Sequence, residues 1–389
     1  MELDETLFAQ QQVIRLHALL EASRLIHSTI ELDKVLVTVL KIVVRELEAT
    51  GAFFTTFPHF YGEVPADFND PKIREANDAT GDSAKNRWVR FPLSDKAGQP
   101  FSELVAILPA DRTLTLDEMD FLSSLAIQAA AAIENARFHE RALEWRRVEA
   151  DLAAARDIQR SLLPQQMPEI SGYSIAAHSV TCYEVGGDYF DIVPLPSGDT
   201  VIVVADVAGK GLSSALVGTS FRSAFRAMAS SETTLVDLAT RMNLLHYNEG
   251  PEARRRYVTT FLTRLSPATN ALEVVNAGHN PAFLVSATGD VRHIEASDRP
   301  VGIFPLSNYT SEKFLLDKGA RLLIYTDGLT EACRGDEEFG GERLLQAFRN
   351  CNSVTAESIL ESLWATLRDF SDEPRLSDDM TALVLLRQR

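Results

Sequence analysis

The sequence predicts an α+β protein in three parts: an amino-terminal α/β domain, a long helix, and a carboxy-terminal sandwich of two antiparallel sheets between helices. Three observations carry this. Between Thr115 and Leu163 there is neither proline nor glycine, which leaves room for a helix on the order of 70 Å at about 1.5 Å per residue. Beyond Pro168, short apolar runs recur in pairs joined by turn residues, and helical periodicities also come in pairs. Hairpins covered by helix pairs make an α/β/β/α sandwich. Ahead of the long helix, strand-like runs follow helical ones.

In chain order, Leu16, Leu19, Leu20, Ser23 and Ile26 keep helical spacing, as do Leu36, Val39, Leu40 and Val43 after Asp33. Strands are expected at 52–57, 87–93 and 104–108, with a turn at 94–98 and an irregular polar segment at 65–86. Thr115 is a good N-cap for the long helix. Stepping from Ile127 by alternating fours and threes gives Ile127, Ala131, Glu134, Phe138, Arg141, Trp145, Val148, Leu152, Ala155, Gln159 and Leu162. This seam is mostly apolar, with polar breaks at Glu134, Arg141 and Gln159, and reads as a coiled-coil linker with weak pairing. Pro164 and Pro168 end it. Domain bounds of 1–125, 126–165 and 166–389 follow. In the last domain strands are expected at 174–180, 189–193, 200–206, 257–265, 271–275, 282–286, 291–294, 320–326 and 382–386. Helices are expected at 213–229, 234–248, 342–348 and 355–370.

A length of 389 residues suits two or three domains. The net charge of -17 argues against a nucleic-acid binder, which needs a basic face. Cys182, Cys333 and Cys351 are too scattered for a zinc pattern or a disulfide framework. The start, Met1-Glu2-Leu3-Asp4-Glu5, lacks the basic region of a signal peptide. No apolar run reaches about 18 residues, so no membrane span is expected. Reduced thiols and a cytoplasmic location fit these features.

The chemistry centres on Ala205-Asp206-Val207-Ala208-Gly209-Lys210-Gly211, which follows the apolar run Val201-Ile202-Val203-Val204. A carboxylate at a strand end is rigidly held, and the glycines after it let a ligand approach the backbone. Asp188 lies in Gly186-Gly187-Asp188-Tyr189-Phe190, and Asp327 follows Ile324-Tyr325-Thr326. The pair Asp378-Asp379 precedes Met380-Thr381-Ala382-Leu383-Val384. One Asp-Gly is usually only a turn. Four acidic sites at strand edges, with no histidine pair or thiol cluster, suit a hard divalent cation. Two such ions sharing a water produce hydroxide near neutral pH, so no side-chain nucleophile is required. None of the serine or cysteine nucleophile motifs is present.

Residues 155–389 resemble the SpoIIE-like branch of the PPM metal-dependent serine/threonine phosphatases. The resemblance rests on Ala155-Arg156-Asp157-Ile158-Gln159-Arg160-Ser161-Leu162-Leu163-Pro164, on Val185-Gly186-Gly187-Asp188-Tyr189-Phe190-Asp191, and on Asp206-Val207-Ala208-Gly209-Lys210-Gly211. Asn276-Ala277-Gly278-His279-Asn280-Pro281, Tyr325-Thr326-Asp327-Gly328-Leu329-Thr330-Glu331 and Asp378-Asp379-Met380-Thr381 complete it. It implies that Asp206 bridges two Mn²⁺ or Mg²⁺ ions and that the Val207 carbonyl holds one of them. Asp327 and Asp378 would bind the second, and Asp188 would hold a metal or its water. Asp206 and Asp188 are thus the expected catalytic carboxylates. Asp379, Lys210, Gly328 and His279 are candidate supporting or substrate-contacting residues. The phosphate-binding arginine of eukaryotic relatives has no counterpart before Asp188. The implied substrate is a phosphorylated partner protein, a STAS-type anti-sigma-factor antagonist.

The amino-terminal region resembles a GAF domain through Phe91-Pro92-Leu93-Ser94-Asp95-Lys96-Ala97-Gly98, 114–122 and 131–137. That implies a sensor for a small-molecule or protein signal, and a homodimer. Two other readings stay open. A scaffold that senses and dimerises without catalysis would leave the carboxylates unused. Gly186-Gly187-Asp188-Tyr189-Phe190 is also similar to the GGDEF signature of diguanylate cyclases, but Tyr189 stands where those enzymes carry a glutamate.

Overall fold

The structure is a computed structural model that describes residues 17, 19–64, 86–371 and 376–388. The chain divides into two compact units, Met1–Glu149 and Ala150–Arg389. The irregular segment expected at 65–86 lies, except for its last residue, outside the described residues, as does Leu16.

In the first unit, helix α1 (Leu32–Leu47) turns Val35, Leu36, Val39, Leu40 and Val43 inward. Strands β1 (Gly51–Phe54), β2 (Phe60–Gly62), β3 (Asn86–Ser94) and β4 (Pro100–Pro109) form one antiparallel sheet of order β2-β1-β4-β3. Period-2 alternation sorts β4 into two faces. Leu104, Ala106 and Leu108 join the core under α1, whereas Val105 and Ile107 meet Phe53 and Trp88 on the other face.

Helix α2 runs unbroken over Leu116–Leu162. It opens on a capping box: Thr115 Oγ1 accepts from the Glu118 N–H (3.3 Å), and Glu118 Oε2 accepts from the Thr115 N–H (2.8 Å). Phe121, Leu122, Leu125, Ala129, Ile133 and Ala136 complete the core of the first unit. The seam members Ile127, Phe138, Trp145 and Val148 are exposed in the single chain.

The second unit is an α/β/β/α sandwich, as expected. Strands β5 (Tyr173–Val180), β10 (Ala282–Val285), β11 (Val291–Ile294), β13 (Arg321–Tyr325) and β16 (Met380–Arg387) form a sheet of order β11-β10-β13-β16-β5. Strands β6 (Tyr189–Pro194), β7 (Thr200–Val207), β8 (Val258–Ser266), β9 (Ala271–Ala277) and β12 (Glu312–Leu315) form the other, of order β12-β9-β8-β7-β6. Ile175, Leu322, Ile324 and Leu383 of one sheet meet Ile202, Val204, Phe261 and Leu272 of the other. Helices α3 (Leu212–Met228) and α4 (Leu235–Asn248) cover β7 and β8 through Phe221, Phe225, Leu238 and Met242. Helices α5 (Gly340–Asn350) and α6 (Ala356–Phe370) cover β13 and β16 through Leu344, Phe348, Ile359 and Leu363.

Among the described residues the expected elements recur with ends shifted by a few residues, and six short ones were not anticipated. These are β2, β12, β14 (Cys333–Arg334), β15 (Glu337–Glu338), a 3₁₀ turn at Asp327–Leu329 and a helical turn at Pro251–Arg254. The edge strand β12 buries only Phe314, so no apolar alternation marks it. Its charges suit an edge that must not recruit another strand.

Candidate metal centre

Both sheets deliver acidic residues to one end of the sandwich. Strand β7 carries Asp206 as its penultimate residue. Asp188 precedes β6, Asp327 follows β13, and Asp378 and Asp379 precede β16. Carboxylate oxygens of Asp327, Glu331 and Asp378 lie within 4.8 Å of one another. Asp188 and Asp206 stand outside that tight group but in the same field.

Burial pushes the Asp206 carboxyl up to about 7, helped by the charges of Asp327, Asp378, Asp379 and Glu331. Asp188 is raised well above the ordinary range, first by burial and then by Asp206. Burial and Asp378 also raise Asp327. A cluster that holds carboxyls part-protonated at neutral pH lacks compensating cations. Lys210 supplies one, with Nζ 2.8 Å from Asp378 Oδ2 and 2.6 Å from the Ser377 carbonyl. The donor set is oxygen-rich and under-neutralised, so it fits a hard divalent cation. Cys182 also lies within 4.8 Å of Asp378 and Asp379. Both oxygens of Asp379 are already engaged, however, which makes that trio a poor cage.

Asp379 acts as a clamp. Its Oδ1 accepts from the Cys182 N–H (2.8 Å) and its Oδ2 from the Gly187 N–H (2.6 Å). A Cβ on Gly186 would overlap its carboxylate, and one on Gly328 would overlap its backbone carbonyl. The two glycines therefore let the Asp188 and Asp327 loops close on one residue. The Val207 carbonyl faces Gly187, where a Cβ would stand 2.9 Å from its oxygen. His279 is buried, and burial pushes its imidazole down to about 4, so it is neutral at pH 7. Its backbone N–H donates to Asn276 Oδ1 (2.8 Å), and the ring Nδ1 is 2.8 Å from Thr259 Oγ1. Thr259 stands opposite Asp206 in the β7–β8 ladder.

Three residues were not assigned to this centre from sequence. Thr326 donates to Asp188 Oδ2 (2.8 Å) and accepts from the Thr381 N–H (2.8 Å). Glu331 completes the tight acidic group, and its spacing of four from Asp327 was the available signal. The Gln159 side-chain amide donates to the Gly186 carbonyl (2.7 Å) and accepts from the Gly186 N–H (3.1 Å). Beneath the loop, Arg226 donates to both oxygens of the buried Asp191 (2.5 and 2.8 Å).

Known proteins share this architecture. The SiaA PP2C domain of Pseudomonas aeruginosa superposes with a TM-score of 0.56 at 20% identity, covering 63% of this chain and 99% of that domain. Protein IcfG of Synechocystis is 26% identical over 263 residues, 61% of this chain and 41% of IcfG. Phosphoserine phosphatase RsbU of Bacillus subtilis is 26% identical over 292 residues, 74% of this chain and 83% of RsbU. The chain thus spans less than half the length of IcfG and most of RsbU. The carboxy-terminal unit thus has the fold of a PP2C domain. Residues 196–388 match the family described as stage II sporulation protein E (SpoIIE).

Proposed function

We propose that the chain hydrolyses phosphoserine or phosphothreonine on a partner protein in bacterial signalling, with two Mn²⁺ or Mg²⁺ ions held by the acidic cleft. The observation that carries this is the under-neutralised set of Asp188, Asp206, Asp327, Glu331 and Asp378 in a domain whose sequence matches the SpoIIE family model. Asp206, the Val207 carbonyl, Asp327 and Asp378 would hold the ions, with Asp188 beside them. Bound divalent ions would lower the pKa of a water and so supply the nucleophile. The chain's own work is positional. Thr326 fixes the Asp188 carboxylate, Asp379 locks the two flanking loops, and Lys210 orients Asp378. Phosphate release from a phosphoserine protein should vanish in EDTA and return with Mn²⁺ or Mg²⁺. Full turnover in chelator would sink the metal reading, and cyclic dinucleotide made from GTP would favour the cyclase alternative. The resemblance points to phosphorylated STAS-type antagonists as substrates, so a panel of these is the first screen.

Residues 1–125 serve as a GAF-like sensor on this reading, and 126–165 as a helical linker that pairs two copies in parallel. The exposed Phe138, Trp145 and Val148 on the seam support it. Weak pairing at Glu134 and Arg141 would leave two arrangements within a few kcal/mol, between which a signal chooses. Glu134→Leu with Arg141→Leu should tighten the dimer in sedimentation and make activity indifferent to the sensor. Gln159 is left intact because it bonds Gly186. A monomer whose activity equals that of residues 150–389 alone would refute the linker role.

A further inference from the structure

A phosphatase must grip the phosphoryl group it removes, and resting on the phosphatase reading, the structure points to the residue that does so. No lysine or arginine occurs between Arg160 and Asp188. Lys210, next to the cleft, is occupied by Asp378 and the Ser377 carbonyl. A different cation reaches the same loop from β8. The β7–β8 ladder pairs Asp206 with Thr259 and Val207 with Val258, and the Ala208 N–H donates to the Tyr257 carbonyl (2.9 Å). Carrying that register on brings Arg256 opposite Gly209. Its Nη1 lies 3.2 Å from the place where a Gly209 Cβ would stand.

Arg256 belongs to a run of three arginines with unequal duties. Arg254 donates to the Tyr247 carbonyl (2.8 Å) and stacks on its ring at 3.9 Å. Arg255 pairs with Glu252 at 3.2 Å. The half-buried Arg256 guanidinium has no hydrogen-bond or ion-pair partner among the described residues. Its backbone, by contrast, is firmly placed. The Arg256 N–H donates to the Ala253 carbonyl (2.8 Å), and Nε2 of the buried His246 lies 3.0 Å from the Arg256 carbonyl and 3.1 Å from that of Ala253. A fixed backbone, an uncommitted planar fork and a bare glycine on the Asp206 loop make a receptor for an oxyanion.

We propose that Arg256 binds the phosphoryl oxygens of the substrate. Gly209, at φ +98°, keeps the path beside it open.

The test uses the full chain with Mg²⁺, a phosphoserine protein and p-nitrophenyl phosphate as substrates, and inorganic phosphate as inhibitor. R256Q should raise KM for both substrates, and the inhibition constant of phosphate, by about 10- to 100-fold, the range for a lost charge-assisted bond. R256K should recover part of the loss by restoring the charge without the fork. R255Q should change nothing. R256K keeps the measurement possible should R256Q melt early. A KM change confined to the phosphoprotein would put Arg256 on the substrate's protein surface and overturn the proposal, as would unchanged constants for both substrates. A wild-type chain that releases phosphate from neither substrate would instead bring down the phosphatase reading, and the proposal with it.

Discussion

Asp206→Asn is expected to cut turnover by at least about two orders of magnitude, comparable to losing a major electrostatic catalyst, while making the metal-free protein more stable. The first effect follows from the position of Asp206 at the end of a buried strand, facing the acidic group. The second follows from its burial and from the repulsion it suffers there. An unfolded aspartate titrates near about 3.9, whereas burial and four neighbouring carboxylates hold Asp206 up to about 7 in the fold. Between those values the native state binds the extra proton, so its stability falls as pH rises and the full cost is present above pH 7. Each pKa unit is worth about 1.4 kcal/mol. Wild type in chelator should therefore lose melting temperature relative to the Asn variant as pH goes from about 5 to about 8. A flat difference would contradict the crowding, and near-normal turnover would remove Asp206 from the mechanism.

Gly328→Ala should be the most damaging single methyl in the centre. The added carbon meets the Asp379 backbone carbonyl, which cannot swing away as a side chain could. Overpacking of this kind costs about 1–3 kcal/mol. The strain must also displace the Asp327 turn or the segment leading into β16, and misplacing a reacting group by about 1 Å can cost roughly a hundredfold in rate. Gly341→Ala is the control: no atom lies within 4 Å of its Cβ position, and it sits in the first turn of α5. Melting curves and kcat for the two variants should separate sharply. Equal behaviour would mean that the Gly328–Asp379 contact is slack.

The sandwich was legible because its strands are long and apolar and its helices are capped by residues such as Thr234 and Thr355. The acidic residues were legible for the same reason, each standing at the border of an apolar run. What sequence could not assign was orientation. The resemblance set Asp378 apart from Asp379 as a ligand, but only the fold turns Asp379 inward onto the Cys182 and Gly187 N–H groups. Gln159 reads as a polar gap in the seam, yet its amide holds Gly186 from two sides. Thr326 looks like one more β-branched strand residue until Asp188 is brought to it from another sheet. The Asp379 and Thr326 pairings join residues more than a hundred positions apart and the Gln159 pairing joins residues 27 apart, beyond the reach of any local pattern.

The order of strands in the first sheet of the sandwich also governs how the chain is made. β16 lies between β13 and β5, and the β5 register Val180↔Met380 joins residues about 200 positions apart. At about 5–20 residues per second of synthesis, β5 waits on the order of 10–40 s for the strand that pairs with it. Over that interval Ala177 and Ile175 have no ladder to join, and the second sheet, whose strands β6 to β9 are sequential neighbours, can form first. Asp378 and Asp379 arrive with β16, so the cleft acquires its last carboxylates only when the late strand slots between its two partners.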